Sequence, residues 1–350
     1  MNRTSLLVIV LLLGCAFLAP EPLTAQADPR PGEERRRTIL DALERLELSA
    51  YVQAQYVQDE SSRDELSGGS TRNRDQFSVR RGRLKLVYTA SEIARLTVAV
   101  DASSSDVVLK DAFIELTEPW TEWRHTLTAG QFNRPFGLEI SRSSSDREMP
   151  ERARVIRSLF PGERDRGVMA SGAGFGKRLS YRVAVVNGEG VNQPADLSSD
   201  KDLIGRVGWK LGTLELGGSV YRGHDLVATP GAPSGVTFDK NRTGLDIQWR
   251  TPLPGLRFRG EYLTGDERGA EVDGWYLYAI QAIAKHQLAL RVDAYDSDTA
   301  VADDAVTTIG GAWLYDLDRH VRLMAAYEHP ERERGDVADD VVTLRLQFRF

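Results

Sequence analysis

From about residue 48 onward the chain alternates apolar and polar side chains in short runs, most clearly in the last. Val342, Leu344, Leu346, Phe348 and Phe350 interleave with Thr343, Arg345, Gln347 and Arg349. A period of two gives a strand one apolar and one charged face. Comparable segments fall near 48-58, 76-89, 93-102, 106-116, 124-131, 166-174, 178-187, 202-211, 213-222, 241-251, 255-264, 273-283, 285-294, 306-316, 319-328 and 340-350. Most have the roughly 9 to 12 residues a tilted strand needs to cross a bilayer. The pattern predicts an all-β chain of about sixteen strands.

The connectors alternate too. Short turns at 89-91, 175-177, 211-212, 252-254, 284-285 and 316-318 are separated by long polar stretches at 59-75, 131-165, 188-201, 223-241, 265-273, 296-305 and 329-339. The compact Ser103-Ser104-Ser105 and the longer 117-124 depart from this rhythm. An antiparallel meander with short turns at one end and long loops at the other predicts a transmembrane β-barrel with periplasmic turns and extracellular loops. An even strand number returns both ends to the periplasmic side. Leu96, Val98, Val100, Leu245, Ile247, Trp249, Leu288, Leu290 and Val292 fall on the face that would meet lipid and lipopolysaccharide. Trp209, Trp249, Trp275, Trp313, Tyr88 and Tyr327 lie near strand ends, where an aromatic girdle would sit. The aromatic terminus at Phe350 is the expected handle for barrel-assembly machinery.

The front of the chain supplies an export address. Arg3 precedes a run rich in Leu, Val and Ile, and Ala25-Gln26-Ala27 is a small-residue cleavage site. Residues 1-27 are therefore expected to be a signal peptide, 28-47 a periplasmic linker with a short amphipathic helix, and 48-350 the barrel of a bacterial outer membrane. Leu12-Leu13-Gly14-Cys15 also resembles a lipobox, so lipidation of Cys15 stays open. Cys15 is the only cysteine, which leaves a chain cleaved after Ala27 without disulfide or thiolate chemistry. Beyond the signal no run of 18 or more apolar residues occurs, which excludes a helical membrane protein.

The other face of the strands carries the functional hint. Its phase places Arg81, Arg83, Lys85, Arg95, Arg206, Arg257, Arg259 and Arg291 in the lumen, with further arginines such as Arg182, Arg242, Arg345 and Arg349, against fewer acids. The lumen is predicted to be net basic, although the chain has a formal net charge of -6. A basic wall concentrates anions, and the planar arginine fork suits phosphate or carboxylate. Many of these arginines could equally pair with acids across strands. The alternation breaks around Val79 to Gly82, as at a β-bulge.

The longest loop holds Arg134, Arg142, Arg147, Arg152, Arg154 and Arg157, with five acids and apolar Ile140, Met149, Val155, Ile156, Leu159 and Phe160. A solvated loop would not need those apolar residues. They favour a loop folded back against the wall, narrowing a pore; a disordered loop is the alternative.

The segment Gln131-Phe132-Asn133-Arg134-Pro135-Phe136-Gly137, the run ending Arg157-Ser158-Leu159-Phe160-Pro161-Gly162, Arg164-Asp165-Arg166-Gly167, and Arg80-Arg81-Gly82-Arg83 resemble the phosphate-selective porin O and P family. The resemblance implies a sixteen-stranded outer-membrane channel, commonly a homotrimer, whose third extracellular loop constricts the pore and whose basic lumen conducts anions. Here the constriction loop has five acids and no lysine, a departure from the basic array of that family's best-known members.

The expected function is passive diffusion of small hydrophilic solutes, anion-preferring, with phosphate or polyphosphate as candidates. The alternative is a plugged structural or adhesive barrel without channel activity. An enzyme is not expected. The five histidines are scattered, and Gly-x-Ser-x-Gly, His-Glu-x-x-His and Gly-rich phosphate loops do not occur. Arg334-Gly335-Asp336 is too short to carry weight, and Asp296-Ser297-Asp298 with Asp303-Asp304 is more simply a solvated loop than a cation site. No cofactor, metal or nucleic-acid partner is expected.

Overall fold

The computed structural model describes residues 43–67, 70–103, 106–229, 232–333 and 340–350. Within them sixteen antiparallel strands close a barrel. In chain order these are β1 Leu46–Asp59, β2 Gln76–Thr89, β3 Ala94–Ala102, β4 Val107–Thr117, β5 Thr126–Asn133, β6 Arg164–Gly174, β7 Leu179–Val186 and β8 Asp202–Leu211. The second half comprises β9 Leu214–Arg222, β10 Arg242–Arg250, β11 Leu256–Glu267, β12 Ala270–Ile283, β13 His286–Asp296, β14 Val306–Asp316, β15 Val321–Arg332 and β16 Val341–Arg349. The expected signal peptide and most of the 28-47 lead-in, with Ser104, Ser105 and Arg334-Gly335-Asp336, lie outside the described residues.

Each strand pairs with its sequence neighbour, and β1 also pairs with β16 from Tyr51↔Arg349 to Asp59↔Val341. Closure leaves no sheet edge, so every strand has hydrogen-bonding partners on both sides, as a lipid environment requires. The final residue shares in the seam: the Phe350 N–H donates to the Ala50 carbonyl at 3.0 Å and the Ala50 N–H to the Phe350 carbonyl at 3.1 Å. Along β16, Leu344 is 51% exposed on the outer wall and Arg345 4% exposed within. The period of two thus places arginine inside and leucine outside, and a one-residue slip would exchange them.

Two bulges modify the alternation. Between β1 and β2, Gln53 faces Arg81 and Ala54 faces Val79, leaving Arg80 as the extra residue. Consecutive Arg80 and Arg81 therefore both point into the lumen, where both meet Glu151. Between β3 and β4, Ala99 faces Asp111 and Val100 faces Leu109, so Lys110 is extra. The Gln131 amide donates to the Leu109 and Lys110 carbonyls, at 2.9 Å each, answering the acceptors that this bulge takes out of register.

Because Arg80 is the inserted residue, deleting it should restore regular alternation, with Val79 and Phe77 still outward, and heat-modifiable gel migration should remain. Deleting Val79 instead would turn Arg80 to lipid or Phe77 inward. A charge at mid-membrane costs about 2 to 4 kcal/mol, so folded barrel should fall sharply. Equal yields of the two deletions would count against this register.

The 265-273 stretch is strand rather than long loop. β11 and β12 continue to Glu267 and from Ala270, joined by Arg268 and Gly269 at φ 51° and 90°. The stretch expected as loop at 223-241 contains a hairpin of His224–Thr229 and Ala232–Asp239. The longer short-side connector is tied by Glu118, whose carboxylate accepts from the Trp120, Thr121 and His125 N–H groups at 2.7, 2.9 and 2.9 Å and from the Thr121 hydroxyl. The Thr121 hydroxyl first, then these backbone donors against the opposing effect of burial, hold its pKa down to about 2.

Candidate functional site in the lumen

The connection between β5 and β6 folds into the barrel. It carries one short helix, α1 Arg154–Leu159, whose Val155, Ile156 and Leu159 are buried against the inner wall at β12 and β13. The wall has room for such side chains where it lacks its own. A Cβ on Gly244 would come within 2.8 Å of the Phe136 ring, one on Gly274 within 2.7 Å of Val155, and one on Gly310 within 2.7 Å of Met149. These inward glycines are notches for the loop, and Phe136, Ile140, Met149, Ile156, Leu159 and Phe160 form an apolar core inside the lumen.

The loop's five acids lock it in place. Glu148, 1% exposed, accepts from Arg259 at 2.7 Å, Arg142 at 2.9 Å and Arg257 at 3.1 Å. Glu151 accepts from Arg80 Nε and Arg81 Nη2, both at 2.8 Å. Glu163 takes Arg164 at 3.0 Å and also Arg152, and Asp146 takes Arg349 at 3.1 Å. Glu139 accepts from the Ala153 N–H at 3.0 Å and the Tyr278 hydroxyl at 3.3 Å. Wall side chains also donate to loop carbonyls: Gln53 to Ser144, Gln347 to Ser145, Arg345 to Pro150 and Arg291 to Glu151. Charge-assisted bonds of this kind are the stronger class of hydrogen bond.

On either side of the loop lies a chamber. The one towards the short turns has a volume of about 580 Å³ and is lined by Arg83, Lys85, Arg142, Arg164, Arg319 and Arg349, with Asp111 as its single acid. The one towards the long loops, about 400 Å³, is lined by Arg74, Arg80, Arg154, Arg157, Arg332 and Arg345 against Asp59, Glu151 and Glu328. Both chambers thus hold six cationic side chains, and in both the cations outnumber the acids.

Residues 52–202, which include this loop and its flanking strands, match the family model described as phosphate-selective porin O and P. Over that stretch the chain is similar to the family. Among solved structures the chain is similar to the anion-selective porin from Comamonas acidovorans, at 13% identity over 87% of this chain and 99% of that one, with a TM-score of 0.62. It is also similar to the outer membrane channel DcaP of Acinetobacter baumannii, at 12% identity over 87% and 97%, with a TM-score of 0.65. A third is OmpT of Vibrio cholerae in its trimer form, at 11% identity over 87% and 99%, with a TM-score of 0.61. At these identities the likeness is one of fold. No curated protein sequence matches.

The barrel sorts the sequence-predicted cations into different settings. Arg81, Arg259 and Arg291 are buried beneath the loop, with Arg259 stacked over Tyr278 at 4.5 Å and Arg291 paired to Asp293 and Glu328. Arg257 joins Arg259 at Glu148. Arg83, paired with Asp101 at 2.6 Å, and exposed Lys85 line the chamber towards the short turns. Arg95 pairs with Glu115 at the short-turn end, and Arg206 with Asp246 on another part of the wall. Among loop arginines, Arg134 pairs with Asp165, while Arg152 also donates to the Glu139, Ile140 and Arg142 carbonyls and holds the loop's own shape. Arg147 is buried, with Nε and Nη1 lacking hydrogen-bond partners among the described residues. Arg142 faces one chamber, Arg154 and Arg157 the other. Arg80, Arg164, Arg319 and Arg332 join the chamber walls although sequence reasoning did not include them among the site residues. For Arg80 the doubled arginine in an otherwise alternating strand was the available signal.

Proposed function

We propose that this outer-membrane porin is an anion-preferring diffusion channel whose size and charge preference are set by the inward loop and the two chambers beside it. The observation that carries this is the excess of six cations over one acid in one chamber and over three in the other. Such walls raise the local anion concentration. Arginine forks suit phosphate and short polyphosphates in particular. The family description and the anion selectivity named for the Comamonas porin point the same way. The trimer form of the Vibrio protein supports a homotrimer here as well. Export through a cleaved signal peptide and assembly through the strand ending at Phe350 complete the proposal.

The zero-current potential of the purified protein in a planar bilayer under a KCl gradient tests it. An anion-signed potential is expected, and a cation-signed one would overturn the preference. The second reading, a sealed structural barrel, draws on the loop's contacts across the lumen; absence of any conductance would favour it.

A further inference from the structure

A single buried lysine ties together long-loop segments that the strand ladder leaves separate. Lys240, 5% exposed between the outer hairpin and β10, donates to the Asp225 carboxylate at 2.8 Å and the Gly188 carbonyl at 2.9 Å, and its Nζ lies 3.2 Å from Asp202 Oδ2. An ammonium has three donors, so these three acceptors use it fully. They come from three places: Asp225 from the hairpin of His224–Thr229 and Ala232–Asp239, Gly188 from the loop after β7, and Asp202 from the first position of β8. A Cβ on either Gly188 or Gly223 would collide with the Asp202 carboxylate, so two loop backbones close directly over it. Asp225 also lies 3.6 Å from Arg268 in the β11–β12 turn, which brings a further connection into the cluster.

From this clamp two lines of contact reach the inward loop. Tyr221 donates its hydroxyl to Asp202, and its ring meets Phe160 of the loop near edge-on at 6.1 Å. Just after Gly188, the Gly190 N–H donates to Asp165 at 3.2 Å, and Asn192 and Gln131 exchange two hydrogen bonds at 3.0 and 3.1 Å. Gln131 on β5 and Asp165 on β6 stand at the two roots of the loop. We propose that Lys240 is a positioning residue for the constriction: by clamping three long-loop segments it holds the roots of the inward loop, whose middle is held separately by Glu148 and Glu151. The two kinds of anchor differ in consequence. Losing a middle anchor widens the passage, whereas loosening the roots leaves the loop docked and lets it fluctuate about that position. The proposal rests on the channel reading for its electrical effect and on the contacts alone for its mechanical one.

The test compares the wild-type protein with Lys240→Met, which keeps most of the side chain and removes its charge, in planar bilayers and under limited proteolysis. Cutting within 134–163 and within the outer hairpin should both accelerate by about tenfold or more, the population change that follows loss of one charge-assisted hydrogen bond. The open-channel current should become noisier with little change in its mean. Heat-modifiable gel migration should stay, because the strand ladder does not use this side chain; a variant that loses it is replaced by Lys240→Gln, which keeps a donor. Asn192→Gly serves as a second variant. Its φ of 57° suits glycine, and it removes one of the two bonds to Gln131 without touching the clamp. It should speed cutting within 134–163 and raise the noise to a smaller extent, while the hairpin stays protected. If the lysine variant exposes the hairpin but leaves the noise and the cutting within 134–163 at wild-type values, Lys240 clamps only the outer loops and the proposal is overturned. Wild-type cutting within 134–163 in both variants overturns it too. A wild type that passes no current overturns the channel reading instead, and proteolysis then judges the clamp by itself.

Discussion

Replacing Glu148 by alanine is expected to release the middle of the inward loop and raise single-channel conductance, without opening the barrel itself. Glu148 is the carboxylate on which Arg142, Arg257 and Arg259 converge, and Arg259 is only 2% exposed. Removing one partner from a buried pair strands the other charge, at a cost of about 3 to 5 kcal/mol. Tyr278 beneath Arg259 offsets part of that, since a desolvated cation–π contact contributes about 2 kcal/mol. The strand ladder does not depend on Glu148, so the cost falls on loop docking. Glu148→Gln, which keeps the shape and loses the charge, should lie between wild type and alanine. Protease sensitivity within 134–163, measured beside conductance, separates release from global damage. Unchanged conductance together with unchanged sensitivity would refute the anchoring role.

The second large effect is expected on ion preference. Lys85→Glu together with Arg319→Glu would change the chamber near the short turns from six cations and one acid to four cations and three acids. Both side chains are exposed and neither makes an ion pair within 4 Å among the described residues, so folding should be spared. By contrast, Arg81, Arg83 and Arg95 pair with Glu151, Asp101 and Glu115, and reversing their charge would set acid against acid. Charged clefts change local ion concentration by roughly 10-fold or more, and the anion-to-cation permeability ratio should fall by about that factor at low salt. A zero-current potential equal to wild type would show that ions do not sense this chamber.

The barrel was legible because each strand contacts two solvents. Alternation in β16, from Val342 to Arg349, fixes inside and outside by itself, and turn lengths orient the ends. Legibility ended where that contrast ends. The far parts of β11 and β12, around Gly265 to Asp273, carry only Ala270 and Val272 as apolar residues among charges and glycines, too few to show a period of two, and the stretch was expected as loop. The cations of the wall were likewise visible by phase, but their partners were not. Arg259 and Glu148 are 111 residues apart, and nothing local in either strand or loop announces the pair. That Arg81 would be buried under the loop while Lys85 remained exposed depends on where the loop lands. The loop's apolar residues showed that it must land somewhere, and Gly244, Gly274 and Gly310 supply the places.

The loop's acids, an apparent departure from a basic channel, acquire a different meaning once their partners are known. Asp146, Glu148 and Glu151 occupy wall arginines as captive counter-ions, attached by the chain and unable to diffuse away. In the anion channel proposed above, a passing anion would compete with resident carboxylates for the same forks and be handed on as they rebind, so that the channel could be densely charged without holding its cargo for long.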